Sequence, residues 1–154
     1  MATNTPNLVM GYIEEGQVRG EITYNEALNL LDALVQIYVS GIQASPPAPP
    51  ANGVRYIVAS SGASGAWAGK ENNVACYYDG WVFVPPRKGF YAWVTDGGLN
   101  GMYVYNGTSW ATAGAIADLS GGIANPPTQA EVTAIYDKVN ALLAGLRILG
   151  IVRS

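Results

Sequence analysis

The 154-residue chain carries eleven acidic residues and no histidine. Acid–base chemistry could therefore rest only on a pair of carboxylates, one donating a proton while the other attacks or activates water, as in glycoside hydrolysis. The missing imidazole removes Ser-His-Asp hydrolysis and histidine metal sites. Glu26, Asp32, Glu131 and Asp137 fall on helix starts and polar helix faces, and Asp79 is accounted for by an Asp-Gly turn. Glu71 and Asp96 are then the candidate pair, and nothing in the sequence brings them together. The glycine-rich stretch from Ser61 to Gly69 resembles a phosphate cradle only superficially, because it lacks a Gly-Lys-Ser/Thr ending and no helical pattern follows it. It reads as a surface loop with Trp67 tucked inward. Cys76 is the single thiol, with no His or Asp beside it to act as a base, and reads as a small core residue. The expectation is a protein without catalytic chemistry, cofactor or metal.

Binding is the remaining kind of chemistry, and the aromatic residues are its candidates. Tyr78-Asp-Gly-Trp81 and Tyr105-Asn-Gly-Thr-Ser-Trp110 lie 27 residues apart, each placing an aromatic pair across a tight turn. The plain reading is two hairpins held by cross-strand aromatics, each pair worth roughly 0.2–1 kcal/mol. The sharper reading is a stacking platform for sugar rings, whose C–H faces suit an aromatic surface. Candidate glycan contacts are Trp67, Tyr78, Trp81, Tyr103, Tyr105 and Trp110, several of which must also serve the core.

Composition narrows the partners. Hydrophobic residues make up 49% and charged residues 12%, about half the usual share of charge, so part of the apolar surface should meet another chain. A net charge of −3 argues against a nucleic-acid surface, which needs clustered Lys and Arg to release counterions. The N-terminus has neither a basic segment nor an apolar run, and no stretch reaches membrane-spanning length, so we expect a soluble chain made in the cytosol with no membrane insertion.

These residues need elements to position them, and the expected class is α+β. Residues 1–22 read as an N-terminal arm ending near Gln17. Thr23 with Glu26 forms a capping-box pattern, which predicts a helix over 24–39 within an assembly segment 23–41. Its apolar residues span an arc of about 200°, too wide for one buried face. Residues 42–52 hold Ser45-Pro-Pro-Ala-Pro-Pro50 and read as a stiff linker. Residues 53–114 predict an antiparallel β domain of about five strands: 55–59, 73–78, 81–84, 90–94 and 102–105. Asp79-Gly80, Gly97-Gly98 and Asn106-Gly107 are among the turn signals between them. A hinge follows at 115–127, then a second capping box at Thr128 and Glu131 opens a helix over 128–150 with Gly150 as its stop. Val132, Ile135, Val139, Leu142, Leu146 and Leu149 alternate by three and four, a heptad seam. With Leu31, Leu34 and Tyr38 of the first helix they form the expected oligomer interface. Val at two a positions leans toward dimers, Ile135 at d and Leu146 at a lean away, and we expect a trimer with a pentamer as the alternative.

Asn25-Glu-Ala-Leu28, Leu31-Asp-Ala-Leu-Val-Gln36, Gly65-Ala-Trp-Ala-Gly69, Asp79-Gly-Trp81, Pro85-Pro86 and Tyr105-Asn-Gly-Thr-Ser-Trp110 together resemble a family of phage and gene-transfer-agent virion structural proteins. The resemblance covers roughly residues 7 to 112. Where family members often carry His before Asn-Glu-Ala this chain has Tyr24, and the basic residue after Gly-Gln is displaced to Arg19. The resemblance implies a place in the particle, in head spikes, fibres or tail-tip parts, with other capsid or tail proteins as partners and host capsular polysaccharide as the target. One expectation is an oligomeric spike displaying its β domain for host attachment. The rival is a capsid decoration or adaptor that anchors a longer fibre and never meets the host, with its aromatics buried and its N-terminal arm docked on the shell.

Overall fold

A computed structural model describes residues 4–13, 21–96 and 98–153; Gln17, Arg19 and Gly97 lie outside the described residues. The class is α+β. Helix α1 spans Glu21–Leu34, followed by strands β1 (Tyr38–Val39), β2 (Ile42–Gln43), β3 (Arg55–Val58), β4 (Val74–Tyr77), β5 (Trp81–Val84), β6 (Tyr91–Val94), β7 (Gly101–Tyr105) and β8 (Trp110–Ala111), and helix α2 (Gln129–Ile148). The strands form two four-stranded sheets, β1-β6-β7-β8 and β2-β3-β4-β5.

All five expected strands are present, and three two-residue strands join them at the edges. β1 pairs parallel with β6 and β2 parallel with β3, while the other pairs are antiparallel. The expected helix over 24–39 is therefore corrected at both ends. It begins at Glu21, with Thr23 inside it, and it stops at Leu34. Val35 closes the last turn on the Leu31 carbonyl at 3.0 Å, and Gln36 takes a positive φ of 49°. The β-branched and aromatic run from Ile37 to Val39 then pairs with β6 because strand neighbours suit such side chains better than another helical turn does. The Pro-rich stretch is also not a spacer between a helix and a β domain. Ile42–Gln43 pairs with Ile57–Val58, so residues 44–54 are a loop inside the β unit.

Each sheet turns alternate residues to the space between them. Val39, Ala92, Val94 and Tyr103 from the first sheet meet Ile57, Val74 and Val84 from the second, with Ile37 at the edge. Leu34, Phe90 and Trp110 close this core from the sides. The second sheet also buries part of its outer face, where Val58, Ala75 and Trp67 pack with Tyr56, Trp81 and Phe83. Trp67 arrives there on a single 3-10 turn, Gly65–Trp67, and is fully buried. A strand that is apolar on both faces shows no alternation, which explains the continuous apolar run at Val74–Cys76.

Two charged residues tie α1 to the sheets. The Arg55 guanidinium donates to the Asp32 carbonyl at 3.1 Å and to the Ala33 carbonyl at 3.4 Å, capping helical carbonyls that lack partners and placing a positive charge at the negative end of the helix. The Asp32 carboxylate, fully buried, faces the other way and holds the N-terminal arm. It accepts from the Asn7 backbone N–H at 3.2 Å, the Asn7 side-chain amide at 2.8 Å, the Leu8 N–H and the Tyr78 hydroxyl at 2.9 Å. Asn29 accepts from the Tyr12 hydroxyl, and Asn25 exchanges two hydrogen bonds of 3.0 Å with the backbone of Ile13. Positions 25, 29 and 32 are one helical face, so the arm is strapped along α1 by a polar ladder. At its start, Pro6 lies where a Cβ on Gly53 would come within 2.5 Å, and Gly53 has a φ of 79°; only glycine fits there.

Candidate functional site

The outer faces of the two sheets are closed to different extents. Trp67 covers that of the second sheet. On the first, the alternation along β6 points Ala92 and Val94 into the core and leaves Tyr91 and Trp93 outside. Register continues the pattern: Tyr38 of β1 pairs with Trp93, and Trp93 pairs with Met102 of β7. Tyr38 is 50% exposed, Trp93 47% and Met102 41%. With strands about 4.8 Å apart the row spans about 10 Å, and with Gln36 and Tyr91 it lines a concavity of about 430 Å³.

The row is held in place from outside it. The buried Arg55 guanidinium lies 4.4 Å from the Tyr38 ring centroid, a cation–π contact that fixes the tyrosine on the helix-capping arginine. The Trp93 indole N–H donates to the Asn100 side-chain oxygen at 3.1 Å. The Tyr91 hydroxyl donates to the Leu149 carbonyl at 2.9 Å, which ties the row to the end of α2.

The glycan contacts expected from the sequence are mostly placed elsewhere. Trp67 and Tyr103 are buried core residues, which corrects their candidacy. Tyr78 spends its hydroxyl on Asp32, and burial pushes that hydroxyl's pKa far up, reinforced by Cys76 and Asp32. The aromatic pair across the first hairpin is Tyr77 with Trp81, centroids 5.2 Å apart. Tyr78 sits in the turn, because Asp79 takes a φ of 54° and the Tyr78 N–H bonds Gly80. Trp81 also packs edge-on against Trp67 at 4.9 Å. Tyr105 and Trp110 do pair across their turn, at 5.5 Å, but the Trp110 indole donates to the Asn72 carbonyl at 2.8 Å and bridges the two sheets. Trp67 and Tyr103 are scaffold, whereas Tyr78, Trp81, Tyr105 and Trp110 combine packing with partly exposed surface. Trp93 and Tyr91 were the residues to single out. Their signal was a strand whose bulky aromatics alternate with Ala and Val, since the smaller pair fits a thin two-sheet core.

The remaining candidates fall into two groups. Cys76 is fully buried, and burial pushes its thiol up to about 11, which keeps it protonated and inert. Glu71 follows the Trp67 turn beside the second sheet, whereas Asp96 follows β6 of the first and lies against Gly41.

Helix α2 opens as expected. Thr128 accepts from the Glu131 N–H, and Glu131 accepts from the Thr128 N–H at 2.6 Å. It ends on Gly150, with φ of 70° and the Gly150 N–H to Arg147 and Ile151 N–H to Leu146 bonds of a Schellman motif. Its last turns lie on the first sheet, where a Cβ on Gly145 would stand 3.1 Å from that of Ala113. The seam residues Val132, Ile135, Val139 and Leu142 are exposed, whereas Leu146 and Leu149 are partly buried. On α1, Leu31 is exposed, whereas Leu34 is partly buried against the chain's own core.

Among the described residues no group of acidic or cysteine side chains could hold a metal ion, and no helix is long and apolar enough to cross a membrane. A family model described as "Protein of unknown function (DUF2793)" matches residues 24–111. No curated protein matches the chain.

Proposed function

The chain belongs to the DUF2793 family, and from that premise we propose that it is a non-enzymatic display protein. It self-associates through α2, presents the outer face of its first sheet, and serves in a virion as a spike, fibre or tail-tip component that attaches to host surface polysaccharide. The observation that carries this reading is the Tyr38–Trp93–Met102 row. The outer face of the second sheet is sealed by a buried tryptophan, whereas that of the first, closed at Val104, is left open around Trp93. Leaving a large aromatic side chain half exposed forgoes about 1 kcal/mol or more of burial, so the open face has a use other than stability. The virion setting rests on the resemblance of the α1 segment and the Gly65-Ala-Trp-Ala-Gly69 loop to phage structural proteins.

The adaptor reading keeps one observation on its side. The residues expected to be displayed, Trp67 and Tyr103 above all, are buried. The two readings separate on Trp93. Labelled protein should sediment with host cells that carry surface polysaccharide and not with cells that lack it, and Trp93→Ala should abolish that sedimentation at unchanged oligomeric mass. Absence of binding by the assembled wild-type protein would favour the adaptor.

A further inference from the structure

We propose that the open sheet face and the C-terminal turn of α2 form one groove for an acidic oligosaccharide, with sugar faces on Trp93 and Tyr91 and a sugar carboxylate between Lys88 and Arg147. The inference rests on the display reading and specifies its ligand. Its starting point is Tyr91, which lines two concavities at once. One is the aromatic concavity just described, and the other, of about 370 Å³, is bounded by Lys88, Tyr105, Arg147 and Gly150. The two meet at Tyr91, with aromatic side chains on one side of it and the cations on the other.

The charges there are out of keeping with the rest of the chain. Acidic residues outnumber basic ones eleven to eight, yet among the described residues no Asp or Glu lines either concavity, and two of the eight basic residues stand at one end. Both cations are exposed. Arg147 is in the last turn of α2, where its charge suits the negative end of the helix, while the Gly145, Leu146, Arg147 and Leu149 carbonyls take their hydrogen bonds from backbone N–H groups and the Tyr91 hydroxyl and leave the guanidinium exposed. Lys88 sits in the turn before β6, where the Gly89 N–H bonds the Tyr105 carbonyl at 2.9 Å, and its stem passes 3.8 Å from the Cβ position of Gly107. That stem is held against the hairpin tip, and the ammonium is left at the rim.

The chemistry of this surface selects among occupants. Trp93 and Tyr91, two residues apart on β6, offer two aromatic faces about 7 Å apart along the strand for consecutive sugar rings, and a neutral sugar would leave the cations unused. A nucleic acid would need a longer run of cations than two. A second copy docking face to face would lay the Lys88 and Arg147 end of each chain over the Tyr38 and Met102 end of the other, because a two-fold interface pairs opposite ends of one patch, and would desolvate the cations against apolar side chains. A carboxylated sugar answers both the aromatic and the cationic part. The affinity per site would be in the millimolar range, made useful by many copies on one particle.

The test is titration of the intact protein with a galacturonic acid hexamer and with its methyl ester, which keeps the skeleton and removes the charge, read by tryptophan fluorescence. The acid should bind about tenfold more tightly than the ester, and salt should remove most of the difference. Trp93→Ala should abolish both, and Lys88→Gln with Arg147→Gln should reduce acid binding to the level of the ester without changing oligomeric mass. The double variant should also lose sedimentation with encapsulated cells. Equal binding of acid and ester would overturn the charge selection and leave a neutral sugar site. Undiminished cell binding by the double variant would overturn the groove while the display reading stands. A wild-type protein that binds neither hexamer nor cells would end both.

Discussion

Asp32 is the residue on which most of the chain's polar organisation converges. Burial alone would raise its pKa, but hydrogen bonds from the Asn7 side chain, the Leu8 N–H, Thr5 and Tyr78 outweigh it and hold the carboxyl below its ordinary range. A carboxylate stabilised in the folded state adds stability that is complete above its unfolded pKa, about 3.9, and disappears as pH falls through the lower folded value. Asp32→Asn keeps the shape and removes the charge, presenting an amide to donors that need an acceptor. Loss of one charge-assisted hydrogen bond costs about 1.5–3 kcal/mol, and several are weakened here. Thermal melts should show the variant well below the wild type at neutral pH, with the gap constant down to about pH 4 and closing below it. A gap that persists unchanged into strong acid would mean that the amide's mismatched hydrogen bonding, and not the lost charge, destabilises the variant.

The loop that carries Trp67 shows the same economy at the scale of an element. It contributes one side chain to seal the outer face of the second sheet, against Tyr56 at 5.7 Å and Trp81 at 4.9 Å. Its indole N–H has no hydrogen-bond partner, so the contribution is volume and ring contact. Trp67→Ala should cost about 3–5 kcal/mol, whereas Trp67→Phe, which removes the unsatisfied donor along with some volume, should cost less than half of that in chemical denaturation. Equal losses would show that the N–H is in fact bonded. Elements of this kind differ in how legible they are in the sequence. The five longer strands and both ends of α2 could be read because alternation, Asp-Gly and Asn-Gly turns, a capping box and a glycine stop act over neighbouring residues. The end of α1 could not, because Val35 to Val39 suits a helix face and a strand equally well. The choice is made by Trp93 and Val94, more than fifty residues away. The exposure of the aromatics was hidden for a related reason. Tyr78, Trp81 and Tyr105 stand beside strong turn signals, whereas exposure of Trp93 depends on which sheet face has a covering loop, and only the assembled chain decides that.

At the scale of the molecule the imbalance lies along α2. The helix is anchored by its C-terminal turns, through Gly145 on Ala113 and Leu149 on Tyr91. Its N-terminal two thirds carry Val132, Ile135, Val139 and Leu142 at 40–55% exposure. Completing the burial of four half-exposed aliphatic side chains is worth roughly 3–6 kcal/mol per chain. A dimer would thus gain roughly 6–12 kcal/mol against an association cost of about 4–15 kcal/mol, which leaves little margin. Three helices sharing one seam bury each stripe against two neighbours, and Tyr136 beside the seam, 66% exposed, adds to that contact. Sedimentation equilibrium of the full chain should therefore give about three times the 16.2 kDa chain mass at micromolar concentration. Ile135→Asp with Leu142→Asp would place carboxylates at both exposed d positions of each helix, where desolvation and mutual repulsion oppose assembly. That variant should sediment at the mass of one chain and keep its near-ultraviolet circular dichroism, because both side chains are exposed and outside the buried core. Its binding to encapsulated cells should fall much further than any loss of affinity for a single oligosaccharide, since the sheet face is intact and only the number of copies held together has changed. A wild-type monomer at these concentrations would remove α2 as the assembly element and leave the exposed seam for a different chain.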